Sequence, residues 1–150
     1  MLSTTALHAV RALGELAQLQ RGEYAGATAI ATRIGAPPNY LGKLLQTLSQ
    51  HGVVDSRKGA GGGFRLARSA DSISLYDVVE PIDRVSRWNG CFLGNLRCSG
   101  SCTVHERWRP VREAYLQLLT DSTVSEVAGG GLPRAVDPAL PHPRGKERRR

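Results

Sequence analysis

The chain has 150 residues, of which 41% are hydrophobic and 22% are charged, so it can form one globular domain with a core of Leu, Val, Ile and Ala. It has no apolar run near the roughly 18 residues of a membrane span and no signal-peptide pattern at its start, which predicts a cytoplasmic protein in a reducing compartment. The net charge of +7 is concentrated in residues 1–70 and indicates either an acidic partner or a solvated basic face.

Apolar residues at helical spacing predict three helices in the first third of the chain. The first runs over residues 4–19, and the second over residues 27–34, with Gly35 as its C-terminal stop. A tight turn leads to Pro38, which is suited to the first position of a third helix over residues 38–50. The apolar face of that helix consists of four leucines, Leu41, Leu44, Leu45 and Leu48.

Two helices joined by a turn of about four residues form a helix-turn-helix, a weak pattern by itself because small helical bundles contain such pairs. The next residues strengthen it. Val53-Val54 opens a strand, residues 57–63 form a basic, glycine-rich turn, and residues 64–66 alternate like a returning strand. A hairpin directly after the third helix predicts a winged helix-turn-helix, a mainly α fold with a small β-hairpin wing.

The third helix and the wing carry the candidate DNA-binding residues. The polar face opposite the leucines carries amide and ammonium groups, which can bind base edges or phosphates; a solvated helix face is the alternative interpretation. In the wing, glycines let a backbone approach a phosphate, and long cations suit the narrow minor groove. The predicted DNA-binding residues are Thr28 of the second helix together with Asn39, Tyr40, Lys43, Gln46, Thr47, Arg57, Lys58, Gly61, Gly62 and Arg65.

A further helix is predicted to begin after Ser74, its N-cap, with Asp77 three residues later. We expect Pro81 to end or kink this helix. Residues 88–105 then read as a glycine-containing loop that holds all three cysteines.

The last helix has apolar residues in steps of four and three, a seam typical of helices that pair with another helix. Because Pro110 interrupts it, we expect the regular part to start near Arg109, with a bend before it. The seam residues are Val104, Trp108, Val111, Tyr115 and Leu118. The predicted organisation is a winged helix-turn-helix domain (1–83), a cysteine loop (84–106), a dimerisation helix region (107–128) and a disordered basic tail (129–150).

The loop supplies Cys91, Cys98, Cys102 and, shortly afterwards, His105. Three thiolates and one imidazole are enough for an iron–sulfur cluster or a tetrahedral zinc ion. Redox-active or unused thiols are the third possibility, and His105 can equally be an ordinary histidine at a helix start.

Several segments together resemble one family. They are the opening LSTTALHAVRAL, the segment NYLGKLLQTLSQHGVV, the wing SRKGAGGGFRLAR, the helix SLYDVVEPID and the cysteine loop followed by VHERW. Over roughly residues 1–128 the chain resembles the Rrf2 family of winged-helix regulators, which includes IscR, NsrR and CymR. The resemblance implies a homodimeric repressor or activator that binds near-palindromic DNA, and several members carry an iron–sulfur cluster.

The resemblance also implies roles for individual residues. Asn39, Tyr40 and Lys43 would face bases or backbone, and Lys58 would be the minor-groove cation of the wing. Gly42 stands where IscR has an acidic specificity residue, which implies a different operator.

In the cysteine loop, His105 matches the histidine that follows the third cysteine of IscR-type members. Leu7 stands where some relatives have an acidic ligand from the partner subunit, and leucine cannot bind metal. Only three residues separate Cys98 from Cys102, fewer than expected for IscR, so the type of cluster stays open, with 2Fe–2S favoured over 4Fe–4S and zinc as the alternative.

Other classes of protein fit less well. The sequence has no CxxC pair, no Ser/His/Asp set and no GxxxxGK[ST] motif, which argues against an enzyme, and it offers few aromatic residues for stacking RNA bases. The sequence therefore predicts a DNA-binding regulator gated by an iron–sulfur cluster that senses redox, nitric oxide or iron status. The alternative is the same regulator without a cluster, its cysteines binding zinc or acting as redox-sensing thiols.

Overall fold

Three helices open the fold in the computed structural model, which describes residues 2–89, 91–93 and 102–129. Helix α1 spans Thr4–Leu16, α2 spans Ala27–Ile34 and α3 spans Pro38–Gln50. Gly35 ends α2 at φ 71°, a left-handed conformation that glycine adopts without steric cost. The predicted second and third helices are confirmed. The first ends three residues earlier than expected, because the chain tightens into turns there.

The predicted hairpin is confirmed directly after α3. Strand β1 (Val54–Arg57) pairs antiparallel with β2 (Gly63–Leu66). Ala25, in the loop before α2, extends this pairing: its N–H donates to the Phe64 carbonyl (2.9 Å), and its own carbonyl accepts from the Phe64 N–H (2.8 Å). The wing is therefore fixed to the helical part of the fold by backbone hydrogen bonds.

Helix α4 spans Leu75–Asp83 and begins as predicted, because Ser74 and Asp77 form a reciprocal capping box. Of the two outcomes expected at Pro81, an end of the helix is wrong, since the helix continues to Asp83, and a kink stays a prediction. Proline removes one hydrogen bond here, and the buried Val78 and Val79 anchor the turn before it. A 3₁₀ helix, Val85–Asn89, follows.

Helix α5 spans Thr103–Asp121, and α6 spans Val124–Gly129. The expectation that the regular helix starts near Arg109 is wrong, because α5 begins six residues earlier and Pro110 lies inside it. Trp108 before the proline and Tyr115 after it both contact the Trp88 ring, and these contacts support the helix on both sides of Pro110.

The helix α6 was not separated from the dimerisation helix in the sequence. Thr123 and Glu126 bond reciprocally at its start, a capping-box pattern that the sequence itself contains. The Ser122 carbonyl accepts from the Leu75 N–H, and the Val124 N–H donates to the Ile73 carbonyl, so the end of α5 returns to the start of α4.

One core joins these elements. Its largest fully buried side chains are Leu13, Ile30, Leu41, Leu45, Leu48, Val53, Val54, Ile73, Val78, Val79, Val85 and Val124. Among the described helices, none is long and apolar enough to cross a membrane. Most of the predicted basic tail, residues 130–150, lies outside the described residues.

Candidate nucleic-acid interface and cysteine site

Helix α3 has the two faces that its sequence predicts. Its four leucines are buried, each 6% exposed or less. On the opposite face Asn39, Lys43 and Gln46 are exposed, and their side chains make no hydrogen bond or ion pair within the part of the chain that the structure describes. Amide and ammonium groups are thus exposed on one face of a helix whose opposite face packs in the core.

The residues at the margin of that face have partners of their own. The half-buried Tyr40 meets the His8 ring edge-on, with 5.8 Å between ring centroids. The Thr47 hydroxyl donates to the Lys43 carbonyl at 3.1 Å. Thr28 is exposed in the first turn of α2. These three residues flank the exposed amides.

In the wing, Tyr24 holds two arginines in place. The guanidinium carbons of Arg57 and Arg65 each lie 4.9 Å from the centroid of its ring, a cation–π distance. Arg65 also donates to the Asp55 carboxylate from Nε (3.2 Å) and Nη2 (3.1 Å). Tyr24 could not be predicted from the sequence, because no local pattern indicates that it packs against the wing.

Lys58 differs from these arginines. It is exposed at the start of the wing turn and makes no hydrogen bond or ion pair with any described residue. Arg57, one residue earlier, donates to the Gly61 carbonyl at 3.3 Å. The wing therefore has two arginines that pack on Tyr24 and one lysine, Lys58, whose side chain has no partner among the described residues.

The glycines of the wing serve the chain's own packing. A Cβ atom on Gly62 would lie 2.2 Å from the Arg57 carbonyl oxygen, and one on Gly63 would lie 2.4 Å from the Ala25 carbonyl oxygen. Both distances are too short for real atoms. These glycines are explained by close backbone approach within the wing, and a role for Gly61 and Gly62 at DNA stays a prediction.

The cysteine loop is described in part. Cys102 is the N-cap of α5, and its sulfur accepts a hydrogen bond from the His105 N–H at 3.3 Å. Cys91 is half-buried, whereas Cys98 lies outside the described residues. Within residues 2–89, 91–93 and 102–129, no three Cys, His, Asp or Glu side chains stand close enough to hold a metal.

Cys91 lies beside the first half of α5. It lines a pocket of about 340 Å³ together with Arg87, Trp88, Phe92 and Trp108. The Phe92 and Trp108 rings are 5.1 Å apart. The structure thus brings Cys91 to the helix that begins with Cys102 and His105.

The predicted seam of α5 divides into two sets. Trp108 and Tyr115 pack against Trp88 of their own chain. Val104, Val111 and Leu118 are 43%, 57% and 59% exposed. Three large apolar side chains on one helix thus contact water in the isolated chain.

Burial shifts the acid–base equilibria of two half-buried groups. Burial, with a smaller contribution from Arg11, lowers the pKa of His8, and its Nδ1 has no hydrogen-bond partner among the described residues. Burial and then the Asp83 carboxylate raise the pKa of Tyr115. Burial therefore favours the neutral form of each of these two side chains.

Comparison with known proteins gives a consistent result. A family model described as Rrf2, iron-dependent transcriptional regulator, matches residues 2–130. A candidate HTH-type transcriptional regulator of Mycobacterium tuberculosis is 35% identical over 137 residues, which cover 90% of this chain and 85% of that protein. IscR of Klebsiella pneumoniae is 32% identical over 100 residues, covering 65% of this chain and 61% of that protein.

Solved structures agree on the fold. IscR of T. potens superposes with a TM-score of 0.71 at 25% identity and covers 87% of each chain. CymR of B. subtilis, described as the global cysteine regulator of that organism, superposes with a TM-score of 0.70 at 23% identity, covering 87% of this chain and 97% of that one. The winged-helix prediction is confirmed, and these relatives are regulators rather than enzymes. The chain belongs to the Rrf2 family of transcriptional regulators.

Proposed function

We propose that this chain is a sequence-specific DNA-binding regulator that works as a homodimer in the cytoplasm. The observation that carries the proposal is the exposed set Asn39, Lys43 and Gln46 on α3, whose groups have no partner among the described residues. Side chains of this kind match base edges in the major groove, which admits one α-helix. Thr28, Tyr40 and Thr47 would contact the backbone beside them.

The basic residues of the wing support the same function, because two of them pack on Tyr24 and a third extends beyond these two. Arg57 and Arg65 are held on Tyr24, so they fix the wing and its local positive potential. Lys58 extends beyond them, and a narrow minor groove attracts such a cation. Gly61 and Gly62 would let the backbone of the turn lie close to the phosphates.

DNA binding is tested with a duplex selected in vitro from a random library by the wild-type protein. Replacing Asn39 by Ala should cost about 1–3 kcal/mol and relax sequence preference, whereas Lys58→Ala should weaken all sequences and lower the salt dependence. Gln20→Ala, an exposed amide in the loop after α1, is the control. Failure of the wild-type protein to select any duplex would contradict DNA binding.

The dimer is supported by α5. Val111 and Leu118 are more than half exposed, and an apolar stripe of this kind is buried when two helices pair. We propose that α5 of a second copy of this chain covers the stripe, because near-palindromic DNA requires two DNA-binding domains related by a two-fold axis.

We further propose that Cys91, Cys98, Cys102 and His105 hold an iron–sulfur cluster, 2Fe–2S rather than 4Fe–4S. Cys102 supports this, because its sulfur accepts a hydrogen bond from the N–H of His105, and hydrogen bonds to sulfur tune iron–sulfur clusters. A bound cluster would supply one-electron chemistry. Oxidants, nitric oxide or iron starvation would remove the cluster. In this hypothesis that loss is the signal.

The residues of α5 would convert that signal into DNA affinity. Cys102 is its N-cap and His105 lies in its first turn, and Trp108 follows one turn later in contact with Trp88 and Phe92. A change at Cys102 would therefore alter the start of the helix that we propose pairs the two subunits. The angle between the two DNA-binding domains would change with it, and so would their fit to half-sites about one DNA turn apart.

The alternative is a regulator whose cysteines bind zinc or act as redox-sensing thiols. The exposure of Cys102 favours the thiol version, since redox-sensing cysteines are solvent-accessible. A spectrum with iron and sulfide analysis on protein purified without oxygen separates the cases. Brown protein with bound sulfide that is lost in His105→Ala but kept in His51→Ala supports the cluster, and colourless, sulfide-free protein contradicts it.

A further inference from the structure

A basic cleft lies on one flank of α3, between its last turn and the end of α4. The cleft has a volume of about 440 Å³ and is lined by Thr47, His51, Glu80, Pro81, Arg84, Ser86 and Arg87. We propose that this arginine cleft binds the DNA backbone, with Arg84 and Arg87 on phosphates. The proposal rests on the proposed DNA-binding function and adds a contact that the sequence analysis did not identify.

The position of the cleft follows from the geometry of α3. Lys43, Thr47 and His51 are four residues apart, so they form one ridge with steps of about 6 Å along the axis. The ridge is continuous in hydrogen bonding, because the Thr47 hydroxyl donates to the Lys43 carbonyl and the His51 ring bonds the Thr47 carbonyl. It leads from the exposed polar face into the cleft.

The wing lies on the other flank. Ser49 of α3 contacts Ser56 of β1, with 3.4 Å between the two hydroxyl oxygens. Residues two apart in a helix point about 200° apart, so Ser49 faces away from the side of Thr47 and His51. A helix in the major groove has a phosphate backbone on each side, and the wing and the cleft occupy the two sides.

The charge of the cleft is not neutralised by the protein. Arg84 and Arg87 are exposed, and neither side chain forms an ion pair within the described residues. The Glu80 carboxylate accepts from the N–H and the hydroxyl of Ser86 and offsets one of the two arginine charges, so the lining keeps a net positive charge. Two guanidinium groups are thus available for an anion, and their planar donors match phosphate oxygens.

The backbone of Arg84 is a second, independent observation. Arg84 has φ 50° and is the only non-glycine residue with a positive φ among those described. It occupies the left-handed position at the end of α4, where glycine or asparagine is usual and other residues are disfavoured. An unfavourable backbone angle for a long cation is explained if its side chain has a function.

The test measures how affinity for two duplexes depends on salt. One duplex is selected in vitro by the wild-type protein, and the other has the same sequence scrambled. Each phosphate contact adds about 0.9 to the slope of log affinity against log salt concentration. We expect Arg84→Gln and Arg87→Gln each to lower the slope by about that amount on both duplexes, without changing base preference. Arg33→Gln, which removes the same charge from an arginine paired with Glu15, should keep the wild-type slope.

A second variant guards against a merely structural role. Arg84→Gly relieves the left-handed strain, so we expect its melting temperature to rise while its affinity and slope fall. The proposal is overturned if the Arg84 and Arg87 variants keep the slope of Arg33→Gln. If Asn39→Ala and Lys58→Ala still weaken binding in that case, the DNA-binding function stands without the cleft, whereas a wild-type protein that selects no duplex contradicts both.

Discussion

Helix α3 and helix α5 differ in how much of their apolar surface one chain buries. Helix α3 buries all four of its leucines, each 6% exposed or less, whereas α5 buries only Leu119 and leaves Val111 and Leu118 57% and 59% exposed. One chain therefore completes the packing of the apolar face that lies opposite the polar face of α3. Helix α5 has an apolar surface that the isolated chain leaves in water, which is why we assign it to the subunit interface.

The largest expected effect comes from comparing a leucine on each helix. Leu45→Ala leaves a cavity in the core and should lower the free energy of unfolding by about 2–5 kcal/mol. Leu118→Ala removes a side chain that is mostly exposed in one chain and should cost less than about 1 kcal/mol in the monomer. Urea unfolding at low protein concentration measures both, and equal losses would contradict the distinction.

A charge on α5 tests the proposed subunit interface. Leu118→Glu should weaken self-association by about 2–3.5 kcal/mol, since each of the two subunits loses the burial of a leucine that is 59% exposed in one chain. Thr120→Glu places the same charge on an exposed polar position of the same helix and should leave the dimer intact. Sedimentation velocity over a concentration series distinguishes the two variants, and a dimer of unchanged affinity in Leu118→Glu would remove α5 from the interface.

Replacing a glycine of the wing tests how firmly the wing is attached to the helical part of the fold. Gly63→Ala should cost about 1–3 kcal/mol, because Gly63 has φ 139° and a Cβ there would collide with the Ala25 carbonyl. Gly26→Ala, with φ −69° and open space around it, is the control and should be almost neutral. Thermal unfolding gives both values. A tolerated Gly63→Ala would mean that the wing is not fixed at Ala25.

The smallest expected effect is a pH dependence that arises under α3. Because the pKa of His8 is lowered in the folded protein, the unfolded chain binds more protons just below its ordinary value of about 6.5. Stability is therefore complete above that pH and is lost as the pH falls through the folded pKa. Urea unfolding between pH 7.5 and 5.5 should show a shallower pH dependence for His8→Gln than for the wild type; identical profiles would exclude His8 as the cause.

The sequence predicted those parts of the fold that depend on local rules. Gly35, Pro38 and the Ser74–Asp77 capping box all act on their own helix ends, and hydrophobic spacing identified the buried face of α3. Neither proline marks a helix end, because tertiary contacts override its local effect. Pro110 lies inside α5 between two aromatic residues that pack on Trp88.

The candidate site was predictable to the same extent. The exposed amides of α3 and the exposed Lys58 follow from helix periodicity and hairpin position. The contacts of Tyr24 with Arg57 and Arg65, and the pairing of Ala25 with Phe64, join residues far apart in sequence. No local pattern encodes them. The same holds for the arginine cleft, which brings α4 to the end of α3.

The dependence of DNA affinity on the cysteines is the central claim, and one binding experiment tests it most directly. The dissociation constant for the selected duplex is measured on protein purified without oxygen, before and after oxidation, for the wild type and for Cys102→Ala. We expect at least about a tenfold change, equal to about 1.4 kcal/mol, in the wild type and no change in the variant. A wild-type affinity that stays the same while the visible spectrum bleaches would contradict gating by the cysteine site.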